Sequence, residues 1–417
     1  MLATVSTYAL IGIDAYPVQV EVDLATGIPH TQTVGLPDSS VRESKDRVRS
    51  ALRNAGFEIP PRRITVNLAP AHLRKEGAAY DLPIALAILA AADHPLRERL
   101  GGVAAAGELA LDGGVRPIRG ALAIAAAARA AGCSRLVVPR ANASEAALIA
   151  DLTVVPSDDL RSTVEILVGT RAPEIQPPTL PPAPGAETAT IDLADVRGQA
   201  YAKRALEVAA AGGHNLLLVG PPGAGKTMLA RRLATLLTPL AFGEALEVTR
   251  IHSAAGLLGD RALVTERPFR APHHTVSAAG MFGGGAVPRP GELALAHHGV
   301  LFLDELPEFR RDVLEGLRQP LEERSVTIAR SAWRLTYPAR VVLVAAMNPC
   351  PCGFHGDALR GCRCTPHQLA RYLARLSGPL LDRIDLHVAV APVKHRELDG
   401  RESAEERSAA VAARVAS

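Results

Sequence analysis

Gly220-Pro-Pro-Gly-Ala-Gly225-Lys226-Thr227 is the stretch that decides how this chain is read. It matches G-x-x-x-x-G-K-[ST] in full, a pattern whose glycines let backbone N–H groups turn inward as a nest for phosphate. Both flanks agree with it. Residues 215–219 make an apolar run of strand length, and 228–237 place apolar residues at helical spacing. Strand, glycine-rich turn and helix in that order aim a helix N-terminus at an anion. Gly220, Pro221, Pro222, Gly223, Ala224, Gly225, Lys226 and Thr227 are therefore the expected ATP-binding residues. In such a loop the lysine reaches the β- and γ-phosphates, and the threonine hydroxyl holds Mg²⁺.

Two further strand ends fit the same chemistry. Val300-Leu-Phe-Leu-Asp304-Glu305 is an apolar strand closed by two carboxylates. Alone, such an ending is common in folded proteins. Downstream of a complete phosphate loop it puts Asp304 beside Mg²⁺ and lets Glu305 polarise an attacking water. Val341-Val-Leu-Val-Ala-Ala-Met-Asn348 ends a third strand on a polar side chain. Asn348 there can orient that water and sense the γ-phosphate, or simply cap a turn. Ligands of open α/β sheets gather at these strand ends, so an α/β unit with a central parallel sheet is expected.

Composition bounds the alternatives. The chain has 417 residues, 48% of them hydrophobic and only 3% aromatic, so alanine, leucine and valine must fill its cores. A net charge of +3 gives no bulk attraction to nucleic acid, and any such partner would be met by local basic loops. Apolar runs at 82–92 and 121–131 fall short of the roughly 18–20 residues of a membrane span. With no signal-peptide pattern at the N-terminus, a cytoplasmic protein without a membrane partner is expected.

Six prolines between 173 and 184 mark 172–190 as an extended linker. Before it, residues 1–171 mix strand-like segments (18–24, 63–68, 101–111, 135–138) with helical ones (39–54, 83–92, 117–131). That order predicts an α+β domain, with Asp38 or Ser39 capping the first helix. Strands at 216–219, 300–303 and 340–346 and a helix at 226–237 follow in a unit covering 191–394.

Cys350-Pro-Cys352 and Cys362-Arg-Cys364 crowd four thiols into fifteen residues. They could close a tetrahedral structural Zn²⁺ site, with His355 or His367 as substitutes, or remain free thiols. Residues 325–337 read as a hairpin in which Arg330 and Arg334 could contact DNA phosphates and Trp333 could stack on a base. The glycine-rich loop 267–289, with His273 and His274, reads equally as a mobile substrate loop or as a segment packed on the sheet.

Gly198-Gln199, the phosphate loop, Asp304-Glu305 and Asn348 together resemble an AAA+ module. Arg270-Ala-Pro-His-His-Thr, Pro290-Gly-Glu-Leu-Ala-Leu-Ala-His, Leu301-Phe-Leu-Asp-Glu-Leu-Pro-Glu-Phe and Met347-Asn-Pro-Cys-Pro-Cys-Gly narrow the resemblance to the magnesium-chelatase-like AAA+ family of competence proteins, the ComM/YifB family. The resemblance implies a hexameric ring and an arginine finger acting on a neighbour's ATP. Leu380-Leu-Asp-Arg383-Ile-Asp is similar to the finger segment, which gives Arg383 that role. Residues 1–171 resemble the proteolytic domain of Lon proteases, yet Ala79 and Leu122 stand where the resemblance places the serine and lysine. No dyad can form, so an inactive platform rather than a protease is implied. The family continues into a helical lid after 387–392; here 395–417 reads as the start of a lid that is largely absent.

Three functions follow from the resemblance. The first is a hexameric ATPase that remodels DNA by branch migration or helicase-type movement. The second is a chelatase-type motor acting on a protein partner for metal insertion. The third is an ATP-bound scaffold, should the shortened lid abolish turnover.

Overall fold

In the strand Leu216–Val219, Leu216 and Leu218 enter one apolar cluster while Leu217 enters another. A strand alternates its side chains, so this segment is buried on both faces. Val300 and Phe302 part from Leu301 and Leu303 in the same way, as do Val344 and Ala346 from Leu343 and Ala345. These residues sit in a five-stranded sheet, ordered Phe269–Arg270, Gly299–Leu303, Val341–Met347, Leu216–Val219, Leu386–Ala389. Every neighbouring pair in it is parallel. The first strand in sequence thus lies between the fourth and the last, and its carboxyl end opens onto the glycine-rich turn. A mixed α/β fold with a parallel sheet of this order is that of an AAA+ P-loop unit.

The computed structural model describes residues 1–92, 94–177, 191–285, 288–330, 333–356, 360–392 and 405–417. They divide into two units. One joins the described part of Met1–Pro181 to Thr249–Val264; the other joins the described part of Pro182–Val248 to Thr265–Ser417. The sequence expectation of an uninterrupted 191–394 unit thus meets a different division, which runs through the helix Phe242–Ala255. Helical spacing reports that a face is buried and is silent about what buries it. Most of the proline-rich segment 172–190 lies outside the described residues.

The first unit carries a seven-stranded mixed sheet, ordered His30–Val34, Arg63–Ala69, Asp14–Ala25, Leu2–Ile11, Val103–Ala105, Arg135–Pro139, Thr153–Ser157. Helices cover it, among them Ser39–Asn54, whose N-cap is Asp38 accepting from Val41 N–H at 2.8 Å. The expected strand over 101–111 is two short pieces, and the expected helix over 117–131 narrows to Ala121–Ala130. The fully buried helix Asp81–Ala91 carries one ionised pair at its start. Asp81 accepts from Arg47 at 2.7 and 3.1 Å, from Leu109 N–H at 3.3 Å and from the Ser44 hydroxyl. At the two positions that the protease resemblance implied for a dyad, Leu122 is buried, and the Ala79 carbonyl accepts from Gly107 N–H.

In the second unit the last helix, Ser408–Ala416, lies on Ala200–Gly212 and on Lys226–Leu236. Its Val411 joins the apolar cluster of Leu229 and Leu233, and its Ser408 hydroxyl accepts from Leu193 N–H at 2.7 Å. Among the described residues no helix is long and apolar enough to cross a membrane.

Candidate nucleotide site

Close approach dictates the glycines of the turn. A Cβ on Gly220 would stand 2.3 Å from the Val390 carbonyl oxygen, so a side chain there would drive apart the first and last strands of the sheet. Gly223 and Gly225 hold φ of +79° and +87°, a region that L side chains rarely adopt. Gly225 is the N-cap of Lys226–Leu236, and the chain enters that helix with its free N–H groups facing the turn.

Lys226 is only 9% exposed. Its ammonium donates to the Gly220 carbonyl at 2.7 Å, the Pro221 carbonyl at 2.9 Å and the Asn348 side-chain oxygen at 3.1 Å. Burial pushes the ammonium below its usual range, and the carboxylates of Asp304 and Glu305 pull the other way. The Thr227 hydroxyl donates to Asp304 at 2.8 Å, and the Glu305 N–H donates to the other Asp304 oxygen at 3.0 Å. Glu305 itself has φ +53° and a side chain 59% exposed. The backbone there leaves the strand abruptly and presents the carboxylate to solvent. Thr227, Asp304, Glu305 and Asn348 are thus brought together around Lys226.

Two cavities flank the turn. One of about 300 Å³ is lined by Thr227, Arg231, His273, His274, Asp304 and Glu305. His274 Nδ1 stands 3.5 Å from a Glu305 oxygen, and its ring lies tilted by 35° against His273 with centroids 4.1 Å apart. The sequence left the histidine pair between a substrate loop and a packed segment; the fold sets both beside the carboxylates. The other cavity, about 390 Å³, is lined by the turn from Pro221 to Gly225 and by Val196, Gln199, Met228, Phe354 and Arg360. Gln199 is fixed there by donating to the Ala391 carbonyl at 2.6 Å. Of these residues Gln199 belonged to a stretch that the sequence singled out, and Met228 fell within the expected helix 228–237. Phe354 and Arg360 sit between the cysteine pairs, where nothing in spacing marks them.

Arg383 is not among the residues lining either cavity. It pairs with Glu322 and donates to the Pro379 carbonyl at 3.2 Å, while its buried Nε has no partner. The hairpin forms as Ser325–Arg330 against Trp333–Pro338, with Arg334 exposed and opposite Ala329. The side chains of Arg330 and Trp333 lie outside the described residues.

The four cysteines come together. Their sulfurs lie within 4.8 Å of one another, with Cys350–Cys352 at 3.3 Å, Cys350–Cys362 at 3.7 Å and Cys352–Cys362 at 3.6 Å. A second cluster joins Glu247, His297 and His298. Here Arg340 N–H donates to His297 Nδ1 at 3.0 Å, so the proton sits on Nε2 and is given to Glu247 at 2.9 Å. That tautomer makes the trio a hydrogen-bonded clasp at the base of the strand Gly299–Leu303.

Residues 192–398 match the family model described as magnesium chelatase, subunit ChlI, and residues 20–142 match a second described as subunit ChlI of Mg-chelatase. A Salmonella typhimurium protein called YifB, uncharacterised, is 47% identical over 99% of this chain and 81% of its own length. The competence protein ComM of Haemophilus influenzae is 46% identical over the same shares. A probable DNA helicase, MCM9 of Arabidopsis thaliana, is 27% identical over 45% of this chain and 24% of its own. With 99% of the chain covered at this identity, the chain belongs to the ComM/YifB family of magnesium-chelatase-like AAA+ proteins.

Proposed function

We propose that this chain is an ATP hydrolase that works as a hexameric ring and remodels DNA. The observation that carries the hydrolase reading is the 2.8 Å bond between Thr227 and Asp304, made next to Lys226 and Glu305. Two oxygens bound side by side to an octahedral Mg²⁺, at about 2.1 Å each, stand about 2.9 Å apart. The hydroxyl and carboxylate therefore fit as adjacent ligands. Bound Mg²⁺ neutralises charge that develops on the phosphate oxygens.

The remaining roles belong to the chain. Backbone N–H groups from Gly220 to Thr227 cradle the phosphates, and Lys226 leaves its carbonyl partners to meet them. The Glu305 carboxylate accepts the proton of the attacking water. Asn348, already bonded to Lys226, feels the loss of the γ-phosphate through that lysine. Arg383 swings off Glu322 to serve a neighbour's ATP, which is why a ring is required.

DNA as the partner draws support from the exposed Arg334 of the hairpin, with Arg330 at its turn, and from the likeness to a probable DNA helicase over 188 residues. In this reading residues 1–171 are a Lon-like platform without protease activity, 172–190 a linker, 191–394 the ATPase domain and 395–417 the start of a lid, in a cytoplasmic protein. The family description favours a second reading, a chelatase-type motor on a protein partner. ATPase rates with and without single-stranded or forked DNA separate the two. Stimulation by DNA is expected. Intact ATP binding with no response to any DNA refutes the DNA motor, and turnover that survives Lys226→Ala refutes the assigned site.

A further inference from the structure

Sulfur geometry and the loop it closes point to more than four crowded thiols. A single Zn²⁺ held by four thiolates at about 2.3 Å has sulfurs about 3.8 Å apart along every tetrahedral edge. Three edges of the cluster, at 3.3, 3.7 and 3.6 Å, are close to that length, and Cys364 completes a set within 4.8 Å. No pair is bonded, since all the cysteines are free and a disulfide needs about 2.05 Å. Cys350 is fully buried, and the other three are half-buried. Such a closed set leaves no open position, so its consequence is structural.

What the knot would hold in place is the wall of the second cavity. Gly353 follows Cys352 directly, has φ +86°, and comes so near the phosphate loop that a Cβ would lie 2.6 Å from Pro222 Cδ. Phe354 comes next, and the Arg360 guanidinium lies 5.2 Å from the centre of its ring. On the other flank, Cys350 is two residues past Asn348, whose carbonyl accepts from Tyr372 at 3.2 Å. Tyr372 belongs to the helix Pro366–Leu373, which Thr365 caps immediately after Cys364. The phosphate chain has its metal end at Thr227 and Asp304, so the nucleoside must leave the turn on the far side. The cavity that the turn shares with Val196, Met228, Phe354 and Arg360 is lined by neither Thr227 nor Asp304, and is the space left for it.

We propose that Cys350, Cys352, Cys362 and Cys364 bind one zinc ion, and that this zinc fixes Gly353, Phe354 and Arg360 as the wall that takes the nucleoside end of the bound nucleotide. The first half stands alone; the second rests on the ATP-site reading above. Metal occupancy then sets nucleotide affinity through this wall.

The test measures zinc by elemental analysis and fluorescent ATP binding by titration in four forms of the full chain: wild type, Cys362→Ser with Cys364→Ser, Phe354→Ala and Lys226→Ala. Wild type should carry stoichiometric zinc. The double cysteine variant should lose it and bind nucleotide about tenfold or more weakly. Phe354→Ala should keep zinc and lose about tenfold to a hundredfold in affinity, the scale of a base–aromatic contact. Wild type devoid of metal, or holding iron instead, overturns the zinc site. Unchanged affinity in Phe354→Ala, or in wild type stripped by a chelator, overturns the coupling even if the cysteine variant fails to fold. Lys226→Ala that still binds nucleotide normally refutes the ATP site itself and leaves the zinc result standing.

Discussion

Replacing Gly353 by alanine probes the contact between the cysteine loop and the phosphate loop. At φ +86° an L residue costs about 1–2 kcal/mol in backbone strain. The new Cβ would meet Pro222 Cδ at 2.6 Å and Cγ at 2.9 Å. Carbon atoms rest at about 3.5–4.0 Å, so the two loops must part by about 1 Å. Overpacking of this kind costs about 1–3 kcal/mol. Gly356 supplies the control, because its φ is +79° and a Cβ there would meet nothing within 4 Å. The backbone strain is shared, and the difference between the two variants isolates the contact with Pro222. At about 2–4 °C per kcal/mol for a unit of this size, Gly353→Ala should melt roughly 2–12 °C below Gly356→Ala. It should also bind nucleotide more weakly, since the displaced residue belongs to the phosphate turn. Thermal melts and ATP titrations of both variants decide the matter. Equal melting temperatures and equal affinities would refute the reasoning.

Other consequences are as direct. Glu305→Gln should bind ATP normally and lower turnover by about 10²-fold or more, the usual worth of a general base; quench-flow that finds unchanged hydrolysis excludes Glu305 from that role. Arg383→Ala should bind ATP yet fail to hydrolyse it, and mixing it with Glu305→Gln should restore partial turnover if fingers act between subunits; rates that stay flat on mixing count against a trans finger. Burial holds the His297 imidazole neutral down to about pH 4, whereas the unfolded chain takes up its proton near the ordinary value of 6.5. The hydrogen bond from His297 likewise holds Glu247 below its usual range. The His297 contribution is full above about pH 6.5 and is lost as pH falls towards 4, so urea melts should show stability dropping by up to about 3 kcal/mol across that window. The Glu247 contribution is lost only below the ordinary glutamate range. A flat profile there, or one that His297→Gln leaves unaltered, contradicts this account. Asp81→Ala should cost the first unit about 3–5 kcal/mol, because Arg47 and Leu109 N–H lose their acceptor; a loss under about 1 kcal/mol by denaturant titration would refute it.

Much of the nucleotide site was legible because its chemistry is local. A phosphate nest needs glycines at fixed offsets, and a buried strand that ends in a carboxylate announces both its burial and its tip. Strands at 216–219, 300–303 and 341–347 were placed within a residue for that reason. Residues that reach the site from elsewhere left no such mark. His274 comes from a glycine-rich loop whose spacing favours no partner, and Phe354 is one aromatic among cysteines and glycines. The strand Leu2–Ile11 was passed over because its inward residues include Ala3 and Thr7, too small or too polar to sharpen the alternation. The role of Thr249–Val264 was invisible too, since a helix that crosses from one unit into another keeps a single unbroken periodicity.

That crossing bears on how the protein can be taken apart. The polypeptide enters the second unit after the proline-rich linker, returns to the first through Phe242–Ala255, and comes back at Thr265. The returning piece is anchored where it lands: Arg250 donates to the Ile13 carbonyl at 2.8 Å and pairs with Asp14, and Gly120 N–H donates to the Ser253 carbonyl at 3.3 Å. Cutting the linker therefore severs one connection of three. A fragment beginning at 191 would carry buried Ile251, Leu258, Leu263 and Val264 into water, and one ending at 171 would lack the segment that covers its own surface. Proteolysis at the linker should leave two pieces that stay together through a gel-filtration column, held by the packing of Thr249–Val264 within the first unit.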